Sequence, residues 1–178
     1  MVLVLLADGF EEIEALMPVD LLKRAKIDVK TCGIDKKTVI STHNIKITCD
    51  ISANEADLSD IEMLILPGGM PGSVNLDKSE FTNKAILKTI ENGGHLAAIC
   101  AAPLVLGRRG LLVDKAACCY PGFENELIGA KISKEKVVTD KNVTTARGMG
   151  VALDFAKELV RIMTSKECAE EISSAIME

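Results

Sequence analysis

Short strand-like runs alternate with helical segments along this chain, and that alternation limits its fold more than any other feature. Val2 to Ala7 is an apolar run ended by Asp8-Gly9 and reads as a strand buried on both faces. Ile27 to Gly33 is a second strand, and Met63 to Leu66 is a third that stops at Pro67-Gly68-Gly69. His95 to Ile99 is apolar after its first residue. Glu11 to Ala25 is helical, with acidic residues in the first turn where the helix dipole favours them. Pro18 inside it should kink the helix or weaken it. Glu80 to Asn92 is a helix closed by Gly93-Gly94. Further helices are expected from Ala102 to Arg109, Gly148 to Met163 and Lys166 to Met177. Lys37 to Cys49 reads as a hairpin around Thr42-His43-Asn44, and Val137-Val138-Thr139 pairs with Val143 to Ala146. The pattern predicts an α/β domain with a mainly parallel sheet, in which ligands sit beyond the carboxyl ends of the strands.

No repeat, low-complexity tract or Pro/Ser-rich linker divides the 178 residues, so one continuous domain over 1–178 is expected. Lys and Arg number 21 against 26 Asp and Glu, a formal charge of -5, so the chain lacks the basic excess of a polyanion binder. Aromatics are 3%, with no Trp and one Tyr, which leaves nothing for a base-stacking platform. Nucleic acid is thus excluded as a principal ligand. No stretch approaches the roughly 20 apolar residues of a bilayer span, and no membrane partner is expected. The opening Met-Val-Leu-Val-Leu-Leu-Ala lacks a basic start and reads as a strand rather than a signal peptide. The 6 cysteines show no C-x-x-C pair, and His43 and His95 have no zinc-like spacing. Free thiols in a reducing cytoplasm and no metal are the expectation.

Cys100 is the most informative residue. It stands at the strand-to-helix turn of Ala98-Ile99-Cys100-Ala101-Ala102-Pro103, where a sharp nucleophile turn needs small neighbours two residues away. Such a turn aims the thiol at the amino end of the next helix, whose dipole favours thiolate. Glu14 falls on the helix face shared by Phe10, Met17, Leu21 and Ala25, so its carboxyl should be desolvated and its pKa raised. A protonated Glu14 beside a thiolate would donate a hydrogen bond to sulfur. Gly68 and Gly69 end a neighbouring strand, and their N–H groups, with that of Ala101, are candidate oxyanion donors. Gly148-Met149-Gly150 opens a helix, but Leu153 replaces the third glycine of a dinucleotide fingerprint, and no phosphate loop occurs. No cofactor is therefore expected. Cys118-Cys119, Cys32, Cys49 and Cys168 read as core filler.

Ala7-Asp8-Gly9-Phe10-Glu11-Glu12-Ile13-Glu14-Ala15, Leu66-Pro67-Gly68-Gly69 and Ala98-Ile99-Cys100-Ala101-Ala102-Pro103 together resemble the ThiJ/PfpI superfamily, with Thr145-Ala146-Arg147-Gly148 extending the likeness. The branch it most resembles is that of the parkinsonism-associated deglycases. The resemblance implies a flavodoxin-like α/β/α sandwich, Cys100 as the reactive cysteine, Glu14 as its protonated partner, Gly69 and Ala101 as donors around the sulfur, and a homodimer. Activities assigned within the family are cofactor-free glyoxalase and deglycase reactions on methylglyoxal, a 2-oxoaldehyde, and its glycated adducts. Oxidative-stress sensing and chaperone-like protection are assigned as well. Tyr120, His43 and Arg147 are accessory candidates. Protease-like members place a histidine directly after the nucleophile; Ala101 stands there, so a peptidase needs His43 or His95 to reach Cys100 in space. Some glyoxalase-active members place a histidine before the proline that here is Pro121; Tyr120 offers a phenol, a poor base at neutral pH. His43 stands where relatives put an arginine that reaches across the dimer.

Overall fold

The fold is given by a computed structural model that describes residues 1–178. Its first half runs β1 (Val2–Leu6), α1 (Glu12–Arg24), β2 (Val29–Gly33), β3 (Thr38–Ile40), β4 (Lys46–Thr48), β5 (Ile51–Ser52), β6 (Met63–Leu66), α2 (Gly72–Lys78) and α3 (Glu80–Glu91). The second half runs β7 (His95–Ile99), α4 (Pro103–Arg108), β8 (Ala116–Ala117), β9 (Lys131–Ile132), β10 (Val137–Asp140), β11 (Val143–Ala146), α5 (Ala152–Met163) and α6 (Lys166–Ala175).

A 7-stranded sheet in the order β10-β11-β7-β6-β1-β2-β5 forms the middle layer. All neighbours are parallel except β10, which returns antiparallel on β11. Side chains alternate across each strand. Val2, Val4 and Leu6 face α1, α5 and α6 in one core of 22 buried residues. Leu3, Leu5 and Ala7 face α2, α3 and α4 in a second core of 23. The mainly parallel α/β sheet expected from the alternation is present, and it is covered on both faces as the sandwich implied by the family resemblance requires. Because both faces are covered, the strands read as continuous apolar runs rather than alternating ones.

The hairpin of β3 and β4 and the antiparallel pair of β10 and β11 stand where the sequence placed them. Two helices differ. The helix expected from Gly148 begins instead with a 3-10 turn at Met149–Val151 and becomes α-helical at Ala152. Two glycines at its start each disfavour helix by about 1 kcal/mol, so regular helix waits until both are passed. Helix α2 was not anticipated: Gly72, Ser73 and Asn75 are weak helix formers, and packing holds them. A Cβ at Gly72 would lie 2.6 Å from the Phe10 amide nitrogen, so the loop after β6 rests directly on the loop after β1.

The chain leaves β1 toward β2 on one side and later enters β6 on the other. The crevice beyond the carboxyl ends of β1 and β6 is therefore the topological switch point where open parallel sheets bind ligands. At the amino end, buried His95 starts β7 and its Nε2 lies 2.8 Å from Thr144 Oγ1.

Candidate active site

Three consecutive sheet neighbours, β1, β6 and β7, each send one piece into that crevice. The loop after β1 enters α1 and carries Glu14; the loop after β6 carries Gly68 and Gly69; the turn after β7 carries Cys100.

Cys100 has φ +65, the left-handed region that side chains rarely adopt. The surroundings hold it there from both ends. Its N–H donates to the Ala146 carbonyl at 2.9 Å, and its own carbonyl accepts from the Tyr120 N–H at 2.8 Å. The Ala102 N–H closes the turn on the Ile99 carbonyl at 3.0 Å. Such a conformation costs about 1–3 kcal/mol and persists only where surrounding contacts dictate it.

Glu14 is fully buried, at 0% exposure. Glu11 caps the helix, its Oε2 accepting the Glu14 N–H at 2.7 Å, which sets the inward face as the helical period predicted. Glu14 Oε2 accepts the Gly68 N–H at 2.9 Å. Oε1 is buried without a well-formed hydrogen bond and faces the Cys100 thiol and the Met149 amide. Burial pushes the carboxyl up to about 7, aided by the charge of Glu11 and opposed by the Cys100, Gly68 and Met149 contacts.

The thiol departs from the sequence expectation. Burial, then the Glu14 charge, push Cys100 up to about 12, against hydrogen bonds from the Gly69 and Ala101 N–H groups that lower it. Helix α4 is 6 residues long, so its dipole is too short to offset desolvation. Carboxylate and thiolate disfavour each other across this contact, so the pair holds a proton above the pH at which an ordinary carboxyl has lost it.

Gly68 is also reassigned. Its N–H is committed to Glu14 and not to an oxyanion, and a Cβ there would lie 2.5 Å from Glu14 Oε2 and 2.6 Å from Cys100 Cβ. Gly69, at φ +88, and Ala101 keep their N–H groups toward the sulfur. Sequence reasoning missed Gly148, where a Cβ would lie 3.8 Å from Cys100 Sγ and 3.9 Å from Glu14 Oε1. Its sequence signals are a glycine one residue past a strand and its place at the end of the Thr145-Ala146-Arg147-Gly148 stretch.

Tyr120 is half-exposed, and its ring borders the site, with Cδ2 3.3 Å from that same Gly148 Cβ position. His43 is exposed at the hairpin tip with Nδ1 2.7 Å from Glu12 Oε1. His95 stands at the far end of β7 from Cys100, bound to Thr144. Within this chain His43 is engaged by Glu12 and His95 by Thr144, and neither is hydrogen-bonded to Cys100. Arg147 is exposed and lies beside Cys119 rather than in the Glu14–Cys100 contact. All 6 cysteines are free: Cys32, Cys49, Cys118 and Cys119 are buried, Cys100 and Cys168 half-buried. Glu11, Glu12 and His43 approach one another closely enough to hold an ion, but Glu11 already caps α1 and Glu12 already pairs with His43. No helix is long and apolar enough to cross a membrane.

The model of the DJ-1/PfpI family matches residues 1–162. Protein dj-1beta of Drosophila melanogaster is 32% identical over 178 residues, covering 98% of this chain and 95% of that protein. The glutathione-independent glyoxalase DJR-1.2 of Caenorhabditis elegans is 28% identical over 158 residues, 88% of this chain and 84% of its own. The structure of oxidized Toxoplasma gondii DJ-1 superposes with a TM-score of 0.94 at 29% identity, covering 99% of this chain and 97% of that one. With a strained Cys100 turn beside the buried Glu14 carboxyl and a family match over residues 1–162, this chain belongs to the DJ-1/PfpI family.

Proposed function

We propose that this chain is a cofactor-independent, Cys100-dependent glyoxalase of the deglycase-like kind, converting methylglyoxal or its adducts to a hydroxy acid. The observation that carries the reading is the buried Glu14 carboxyl, held between the Gly68 amide and the Cys100 thiol with a proton to give near neutral pH. The similarity to a named glutathione-independent glyoxalase supports it.

In the tautomer with the proton on Glu14, the Cys100 sulfur donates an electron pair to the aldehyde carbon and forms the C–S bond of a hemithioacetal. The carbonyl pair moves to oxygen, which the Gly69 and Ala101 N–H groups receive and which takes the Glu14 proton. The Glu14 carboxylate then removes the hydrogen of the former aldehyde carbon as a proton. The electrons pass to the neighbouring ketone oxygen, which takes that proton back from Glu14 to give an enediol. Glu14 then accepts the proton of the hydroxyl on the sulfur-bearing carbon and delivers it to the former ketone carbon, giving a 2-hydroxyacyl thioester, and water cleaves the C–S bond to release lactate and the free thiol. Oxidation at one carbon balances reduction at the next, so no external oxidant enters.

The apolar side chains exposed at the mouth, Ile13, Met70 and Met149, suit a second copy, and the protein acts as a homodimer on this reading. Sedimentation equilibrium tests that point: a mass near 19.1 kDa contradicts it.

Steady-state turnover of methylglyoxal tests the chemistry. Cys100→Ser abolishes it, and Glu14→Gln lowers kcat by about a hundredfold or more, the usual worth of a placed acid–base group. Full activity in Glu14→Gln removes the proton shuttle. No turnover in the wild type, together with ready oxidation of Cys100 to sulfinic acid, favours the alternative of a redox sensor.

A further inference from the structure

Beyond Tyr120 and Gly148, the carboxyl end of the sheet holds another cavity, of about 230 Å³, lined by Cys119, Pro121, Glu124, Ile132, Lys134 and Arg147. It adjoins the Cys100 site through two short stretches of chain. Arg147 directly precedes Gly148, whose Cβ position lies 3.8 Å from Cys100 Sγ, so the Arg147 Cα is no more than about 9 Å from the sulfur. Cys119 and Pro121 flank Tyr120, whose N–H holds the Cys100 carbonyl and whose ring borders Gly148.

The charges around this cavity do not cancel. Arg147 and Lys134 are exposed and neither is joined to a carboxylate. Glu124 is the one acid on the lining, and its Oε2 is occupied by the Gly122 N–H at 2.7 Å. In a chain of net charge -5, two unpaired cations around one cavity beside a reactive thiol form a local reversal of sign. Arginine adds the planar fork that matches a carboxylate or phosphate with paired hydrogen bonds. Cys119 and Ile132 supply an apolar wall for the carbons that would carry such a group.

We infer that this cavity seats the anionic arm of the substrate: a 2-oxoaldehyde, or an adduct of one, with a carboxylate or phosphate a few carbons from the carbonyl that Cys100 attacks. Arg147 and Lys134 are then specificity residues for the arm, and the arm runs past Tyr120. The inference rests on the glyoxalase reading for its carbonyl end and on the unpaired cations for its anionic end.

Two measurements separate those ends. In the first, kcat/KM is compared for 4,5-dioxopentanoate, an anionic 2-oxoaldehyde, and neutral methylglyoxal. The wild type prefers the anion, and Arg147→Gln with Lys134→Gln lowers that preference about tenfold, the loss being carried by KM. Inorganic phosphate competes with dioxopentanoate more strongly than with methylglyoxal. No preference in the wild type, or an equal loss on both substrates, overturns the inference. The second needs no turnover: Cys100 is alkylated by iodoacetate and, in parallel, by iodoacetamide. The double variant slows iodoacetate several-fold relative to iodoacetamide; equal slowing rejects the anionic seat. Absent methylglyoxal turnover with a cation-dependent iodoacetate rate refutes the glyoxalase reading and with it the substrate arm, leaving only an anion site.

Discussion

At the scale of single residues, Cys100 stands where a glycine would be more comfortable. Its φ of +65 is maintained by hydrogen bonds at both ends of the residue. Glycine enters this region without steric cost, whereas any Cβ is penalised. Cys100→Gly should therefore be more stable than Cys100→Ala by about 1 kcal/mol in urea unfolding, the reverse of the usual order at a helical position. Equal stabilities would mean that the turn relaxes without cost. Gly68 presents the opposite case, since a methyl group there meets Glu14 Oε2, Cys100 Cβ and the Ile99 carbonyl, all within 2.9 Å. Gly68→Ala should lose about 1–3 kcal/mol by overpacking and remove Cys100 reactivity together with the Glu14 contact. Glu14 ties stability to pH. Its folded pKa of about 7 lies above the ordinary 4.5, so its contribution is complete below pH 4.5 and lost as pH rises through 7. At about 1.4 kcal/mol per unit that amounts to about 3 kcal/mol. Glu14→Gln cannot ionise, so it should gain on the wild type by up to that amount between pH 4.5 and 8. Parallel stability curves for the two proteins would contradict the burial argument.

At the scale of elements, the site depends on how α1 is started. Glu11 both caps the helix and raises the Glu14 carboxyl by its charge. Glu11→Gln keeps an accepting oxygen and removes the charge, so the pH at which Cys100 alkylation rises should fall below that of the wild type. An unmoved midpoint would assign that step to groups other than this pair. The same element shows what could be read in advance. The 3.6-residue period placed Glu14 on the inner face of α1, and the small residues around Cys100 marked its turn, because both signals are local. The places of Gly68 and Gly148 at the site are not legible locally, because they come from sheet order. Only the pairing of β6 beside β1 brings Gly68 under α1, and only β11 beside β7 brings Gly148 to the sulfur. The short β5, β8 and β9, of two residues each, left no periodic trace. The raised thiol was hidden for a related reason: desolvation by neighbours distant in sequence outweighs the short α4.

At the scale of the whole molecule, two cores of nearly equal size share one sheet. Neighbouring residues on β6 serve different cores, Ile65 on the α1 side and Leu66 on the α4 side. Ile65→Ala and Leu66→Ala should each lower stability by about 2–5 kcal/mol, the cost of a large buried cavity. Both should do so within one cooperative transition, because the strands belong to both layers. Two separable transitions in calorimetry would show instead that the layers melt independently. The distribution of sulfur along the chain gives such an experiment its readout. Cys32, Cys49, Cys118 and Cys119 are shut away in the interior, while Cys100 and Cys168 retain some access to solvent. A thiol reagent applied under native conditions thus meets a fast class and a slow class. The slow class reacts only as often as the sandwich opens, so the protein carries an intrinsic clock for its own unfolding, and the interior thiols from both layers report whether the two cores open together.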